Sequence, residues 1–168
     1  MWPWSSRQVV SAVTKLLRCA TFKARVWICL LWAGQLLTVA LLAAPNAFAT
    51  LTRPDAGAYV ARLFLIDARI SLGLALLTLL MEQRLQRQGN PGRIRFTRLL
   101  LLPVAILFLT VAGYDALQPL LQAAKAGQGS FALLHGLSMA AFAAKTACVL
   151  ALAWLSFSSC FAVSASRA

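Results

Sequence analysis

Long apolar stretches alternate along this chain with short polar segments rich in arginine. Stretches such as WICLLWAGQLLTVALLAA and LLLLPVAILFLTVAG carry no charge, and runs of about 18 such residues or more predict membrane-spanning helices. Four spans emerge, at about residues 26–44, 63–81, 99–121 and 131–157. The segments between them are short, so consecutive spans run antiparallel and pack as a bundle. The expected fold class is an all-α membrane protein: a four-helix transmembrane bundle with an N-terminal amphipathic interfacial helix. Its parts are residues 1–25 for the leading helix, 26–160 for the bundle and 161–168 for a short polar tail.

The leading segment is patterned differently from a span. Val9, Val13, Leu16, Leu17 and Ala20 recur at helical spacing, with Arg7, Lys15 and Arg18 between them and Trp2 and Trp4 ahead. A basic amphipathic helix of this kind lies in the membrane interface, and Ser5 or Ser6 is placed to cap its start. The first span ends at Pro45-Asn46, and an A-x-A motif follows at 47–49. Basic residues, an apolar run and A-x-A are also the grammar of a secretory signal. This run exceeds the ~7–15 residues of such signals, so a retained first helix is expected. Thr52-Arg53-Pro54-Asp55 supplies an N-cap, an early proline and a carboxylate, the start signals of the second helix. Asn90-Pro91-Gly92 marks a turn, and Ser130 caps the fourth helix.

Composition agrees with the pattern. Of 168 residues, 61% are hydrophobic and 12% charged, where a soluble domain is about half apolar and a quarter charged. The formal charge of +12 comes from residues that flank the spans. That distribution reads as an orientation signal and as attraction to anionic lipid. Nothing in it resembles a zinc finger or an aromatic-and-basic strip, so no nucleic-acid partner is expected. Arg7, Lys15, Arg18, Lys23 and Arg25 precede the first span, and Arg84, Arg87, Arg93, Arg95 and Arg98 surround the central loop. The opposite loops hold only Arg53, Arg62 and Lys125. Positive-inside places both termini and the central loop in the cytoplasm of a multi-pass protein of a bacterial inner membrane. Cys19, Cys29, Cys148 and Cys160 show no CxxC spacing and read as small buried hydrophobes.

Ionisable residues within spans are costly and face the bundle interior. Counting from the outer ends of the spans at ~1.5 Å per residue, Asp67, Arg69, Asp115 and His135 fall in one layer ~6–10 Å deep. Ser138 shares a helix face with His135, and Asn46 joins from above. The layer reads either as a proton or cation site open to the outer face, or as pairs that join helices or snorkel to the interface. Lys145 lies ~9 Å above the inner surface by the same rise, within reach of it, and snorkelling is expected; Glu82 is the one acid near its depth. Gly136, Ala140 and Ala144 form a small-residue stripe for close helix approach, within the chain or in a homo-oligomer. One histidine supplies too few ligands for a closed metal site, with Asp115 and Ser138 as weak additions, so no metal or cofactor is expected. No nucleophile elbow, Walker loop or Rossmann fingerprint appears, and no catalytic residue is assigned.

LWAGQLLTVALLAAPNAFATL, with Trp32, Gly34, Ala44-Pro45 and Phe48, then Ala56-Gly57, Leu63-Phe64, Leu117-Gln118-Pro119 and Leu134-His135-Gly136-Leu137-Ser138, resembles a bacterial membrane family, domain of unknown function 4149. That family is similar to the transmembrane protein 205-like group. The resemblance covers about residues 27 to 156. It implies a four-helix inner-membrane protein without assigned activity, and it nominates Pro45, Gln118, Pro119, His135 and Ser138 as family-type positions. A looser likeness runs to copper-resistance-D-like and protoporphyrinogen-oxidase-like membrane proteins. Those use histidines on early helices, and here none precedes His135. The functional expectation is a non-enzymatic membrane protein that binds or passes a small solute or cation through an outer-facing polar layer. The alternatives are a redox enzyme with haem or metal at His135, and an accessory subunit that docks through its leading helix and basic loop.

Overall fold

Each apolar stretch forms a helix, and every helix runs past at least one of the limits set by hydropathy. A computed structural model describes the backbone of residues 6–89, 95–125, 127 and 129–165. The helices are α1 (Ser6–Thr38), α2 (Ala44–Thr50), α3 (Arg53–Gly89), α4 (Arg98–Val111), α5 (Leu117–Lys125) and α6 (Phe131–Ala165). The expected Asn90-Pro91-Gly92 turn, Trp2, Trp4 and Ser5, the side chains of Arg7, Lys15, Arg18 and Cys160, and residues 166–168 lie outside the described residues.

Pro45 was expected to stop the first span, yet α1 and α2 form one rod. A proline lacks the N–H that would bond four residues back, and its ring crowds that carbonyl. The chain answers with a π turn over Val39–Ala43, in which the Ala44 N–H reaches back five residues to the Val39 carbonyl. A second π turn, Ala112–Ala116, joins α4 to α5 ahead of Pro119, and the Leu117 N–H reaches back to Ala112. Widened turns of this kind let a helix absorb a local misfit without ending.

The leading segment likewise continues the first rod: α1 runs unbroken through Arg25-Val26. Val9, Val13, Leu16 and Leu17 are all exposed on it. Thr52 caps α3 as expected, accepting the Asp55 N–H at 3.5 Å and donating to its carboxylate at 2.5 Å. Ser130 accepts the Leu133 N–H at 3.5 Å at the start of α6. Between α5 and α6 the chain turns through Gly127 and Gly129, with φ of 90° and 102°, a conformation that only glycine adopts cheaply.

α1 packs beside α3 and α6, and α4 packs beside the same two, so α3 and α6 stand at opposite corners of a four-rod bundle. One half has a dry core of Trp32, Leu36, Ala75, Ile106, Val149 and Leu152. A smaller cluster of Ala47, Ala56 and Val60 ties α2 to α3. Outside this core the distribution is inverted relative to a soluble bundle. Leu31, Phe108 and Trp154 are exposed by 71%, 71% and 70%, while Arg25, Asp67, Ser71, Thr78, Glu82 and Lys145 are buried. Hydrocarbon as solvent produces that inversion, because it welcomes apolar side chains and cannot satisfy polar ones. The helices Cys19–Thr50, Arg53–Gln88, Arg98–Lys125 and Phe131–Ser159 are long and apolar enough to cross a membrane. By length and composition the chain is a multi-pass membrane protein.

Ala75 is fully buried where α3 faces the core. Ala75→Leu should lower the unfolding free energy of the detergent-solubilised protein by about 1–3 kcal/mol, the usual cost of overpacking. Leu76→Ala, at a position 51% exposed, should cost clearly less in the same denaturation assay.

Candidate functional site: a shaft floored by an ion pair

α3 carries one polar stripe. Asp67, Ser71, Thr78 and Glu82 follow at spacings of four, seven and four, which keeps them on one helical face, and all four are buried. α1 runs antiparallel to this face and supplies partners in register. Arg25 Nη1 pairs with Glu82, Trp32 Nε1 donates to Ser71 Oγ at 3.2 Å, and Gln35 Nε2 donates to Asp67 Oδ1 at 3.2 Å. The other Asp67 oxygen receives Lys145 Nζ from α6 at 2.5 Å. Lys145 thus reaches across the diagonal of the bundle, with its ammonium also 4.7 Å from the Phe142 ring centroid.

This departs from the expected snorkelling of Lys145. The reason is depth. α3 begins at Arg53, so Asp67 lies about fourteen residues into its helix, and Lys145 lies about fourteen into α6, which runs the same way. The two are level. Counting Asp67 from residue 63, where strong hydropathy begins, placed it ~15 Å too near the outer end.

Above the bridge the bundle opens. A cavity of about 480 Å³ runs from the ends of the rods down to Asp67 and Lys145. One whole face of α3 lines it, through Arg53, Gly57, Val60, Phe64 and Asp67. The facing wall is α6, through Phe131, His135, Ser138, Phe142 and Lys145. Tyr114, Gln118, Leu121, Gln122 and Lys125 close the side toward α5, and Phe48 closes the side toward α2. Phe64 and Phe142 meet edge to face just above the floor, their centroids 5.1 Å apart. Below the floor the dry core seals the bundle. At its far end Glu82 Oε1 accepts from Gln86 at 3.0 Å and from Thr97, the N-cap of α4, at 3.4 Å. Glu82 and Gln86 therefore clamp α1, α3 and the start of α4 together.

The sequence-nominated residues separate. Asp67 is in the floor, and His135, Ser138 and Gln118 line the shaft. His135 is exposed, stacked on Phe131 at 5.6 Å, and stands ~15 Å above Asp67 by helical rise. Arg69 and Asp115 are exposed and outside the shaft. Among the described residues the ion pairs are Arg25–Glu82 and Lys145–Asp67, so neither Arg69 nor Asp115 takes part in one. Pro45 and Pro119 act through the backbone, beside the two π turns. Gln35, Arg53, Lys125 and Lys145 are the site residues that sequence reasoning missed. The usable signal was the spacing of the α3 stripe, which implies an interior line needing partners at every level.

The family model for a domain of unknown function, DUF4149, matches residues 27–130. The chain belongs to the DUF4149 family. The match spans Trp32 and Gln35 of the α1–α3 pairing, the α3 stripe and the α5 wall; it begins just after Arg25 and ends before α6. His135 and Ser138, nominated above by resemblance, therefore lie beyond the matched segment of this DUF4149 protein, as does Lys145. No curated protein and no solved structure matches the chain.

Lys145→Met leaves the Asp67 carboxylate buried with Gln35 alone. The single substitution should destabilise the DUF4149 protein by about 3–5 kcal/mol, and the double substitution Asp67→Asn with Lys145→Met should recover at least half of that. Equilibrium unfolding in mixed micelles measures both.

Proposed function

We propose that this protein binds a small solute in the shaft, entering from the end that carries the 51–52 and 126–130 loops, with the Lys145–Asp67 bridge as the floor that stops it. The observation that carries this reading is the shaft itself, lined turn after turn by α3 and α6 and ending on a buried ion pair. Pockets of about 300–1,000 Å³ with apolar walls and a few placed polar groups are the usual form of small-molecule sites. One half of the bundle is open and the other is closed by a packed core, which is consistent with a site entered from one end. The cation version of the reading has less support, because Asp67 is the only carboxylate in the shaft and already holds Lys145 and Gln35.

The arginine count on the α3–α4 side assigns that end to the cytoplasm and the shaft mouth to the periplasm of a bacterial inner membrane, with both termini inside. The amphipathic face of the leading helix then rests in the cytoplasmic interface against anionic lipid. Likeness to the transmembrane protein 205 group belongs to the same reading. So does a homo-oligomer through Gly136, Ala140 and Ala144, which are exposed on α6. The redox alternative rests on His135 alone, since no group of three His, Cys, Asp or Glu fit to hold a metal forms among the described residues. The accessory-subunit alternative draws on the exposed leading stripe.

Thiol accessibility tests the proposal. In a background without native cysteines, Ala61→Cys and Ser138→Cys should react with a membrane-impermeant maleimide added from the periplasmic side, while Thr78→Cys, in the sealed half, should not. Protection of both shaft positions from either side would defeat the reading, and labelling only from the cytoplasmic side would reverse the orientation.

A further inference from the structure

The shaft is chemically lopsided, and the imbalance identifies what it holds. Its ionisable lining is Arg53, Lys125 and Lys145 against Asp67, with His135 on the wall. Asp67 and Lys145 neutralise each other at the floor. Arg53, the first residue of α3, and Lys125, the last of α5, are exposed at the mouth, and neither forms an ion pair among the described residues. The nearest acid in sequence to Arg53, Asp55, is engaged by the Thr52 hydroxyl in the helix cap. The mouth therefore presents two cations, at the first residue of α3 and the last of α5, that pair with no carboxylate among the described residues. Below them most of the wall is apolar or aromatic, through Val60, Phe64, Leu121, Met139 and Phe142, with Gln118, Gln122, His135 and Ser138 set among these groups.

Dimensions sharpen this. From Arg53 to Asp67 the α3 wall is ~21 Å long. Half of a ~30 Å hydrocarbon core, the depth of one acyl chain, is ~15 Å, so a chain of ordinary membrane length fits with room for its head. Spread along that wall, about 480 Å³ gives a mean cross-section of roughly 23 Å² at the α-helical rise. One hydrocarbon chain, whose width follows from carbon contacts of about 4 Å, needs roughly 20 Å².

We infer that the shaft takes a single-chain anionic amphiphile, its carboxylate or phosphate head held by Arg53 and Lys125 and its chain running down between α3 and α6 to Phe64 and Phe142. The assignment rests on the solute-binding reading above and names its ligand class. The charged floor ends the apolar path and so sets the chain length accepted. Anionic heads reach the mouth either on free fatty-acid-like molecules or on single-chain lipids such as lysophospholipids.

The full chain in nanodiscs of zwitterionic phosphatidylcholine provides the test. The probe is a sixteen-carbon carboxylate with a mid-chain nitroxide, whose immobilised fraction reports binding. We expect saturable immobilisation, competed by the unlabelled carboxylate and by lysophosphatidylglycerol and not by the alcohol or the trimethylammonium of the same length. Stronger competition by the free carboxylate assigns a free-acid source, and stronger competition by lysophosphatidylglycerol a lipid source. R53Q with K125Q should weaken binding about tenfold, roughly the loss of two partly exposed charge contacts. An added Cβ at Gly57 meets nothing within 4 Å, so Gly57→Trp should plug the shaft and abolish immobilisation; Gly57→Leu, less demanding, should weaken it. Equal competition by the alcohol, preference for the trimethylammonium, or indifference to R53Q/K125Q overturns the ligand class. Immobilisation untouched by both Gly57 variants places the chain on the outer surface and overturns it too. In each case maleimide labelling at Ala61→Cys and Ser138→Cys shows independently whether the shaft reading survives.

Discussion

The carboxylate of Asp67 governs this structure. Inside hydrocarbon a lone carboxylate costs several kcal/mol, and the cost disappears only against partners that also leave water. Asp67 finds two, Gln35 from α1 and Lys145 from α6. Satisfying it fixes the rotation of α3, since turning that helix would carry Ser71, Thr78 and Glu82 outward along with Asp67. It also fixes the spacing of the diagonal. A lysine stem is long enough to bridge two helices at opposite corners of the bundle, so α3 and α6 meet through long side chains, Lys145–Asp67 and Phe64–Phe142, without close approach of their backbones. The shaft above the bridge is the space that this long tether leaves.

Polar bridging is unevenly distributed along the rods. At the far end Arg25, Glu82, Gln86 and Thr97 form a linked cluster, backed by the Arg25 guanidinium 5.1 Å over the Phe22 ring. Midway, Trp32 and Gln35 tie α1 to α3. Above Asp67 the walls are held by the Phe64–Phe142 contact and by the small Ala47, Ala56 and Val60 cluster. Packing without hydrogen bonds gives way more easily than a polar network. The half around Arg25 and Glu82 is therefore the more strongly cross-linked of the two. Both π turns lie in the half of the bundle that holds the shaft.

How much of this was legible in the sequence follows from what each feature depends on. Four rods, their alternating directions and the caps at Thr52 and Ser130 rest on local composition and on single turns, and they read directly. The ends of the rods did not. Pro45 is a helix breaker by local chemistry, and the π turn that accommodates it draws its stability from the surrounding rod. The misplacement of Asp67 had one cause, that a helix and its hydrophobic span are different lengths. Arg53 to Arg62 is amphipathic, so hydropathy starts α3 late while the cap at Thr52 starts it early. With Asp67 counted from residue 63, Glu82 was the one acid left near the depth of Lys145, and snorkelling followed. His135 attracted notice by rarity, yet it is exposed on the shaft wall, whereas the interior pairs involve residues whose meaning depends on a partner dozens of positions away.

Charge accounting links the two ends of the molecule. The chain has four acidic residues against sixteen basic ones. Asp67 and Glu82 pair with Lys145 and Arg25, while Asp55 keeps its charge and accepts the Thr52 hydroxyl in its cap. Asp115 sits exposed outside the shaft. Neither Asp55 nor Asp115 forms an ion pair with Arg53 or Lys125 among the described residues, so both cations are placed to take a counterion from outside the chain. At the arginine-rich end that role suits the anionic headgroups of a leaflet, in water and at many sites at once. At the shaft mouth the two cations stand over a largely apolar path with room for a hydrocarbon chain, where a counterion with a hydrocarbon tail gains from both parts of the site and a small inorganic anion gains from one. The scarcity of acids, which in composition looks like an orientation signal and nothing more, thereby becomes a statement about the sign of the ligand.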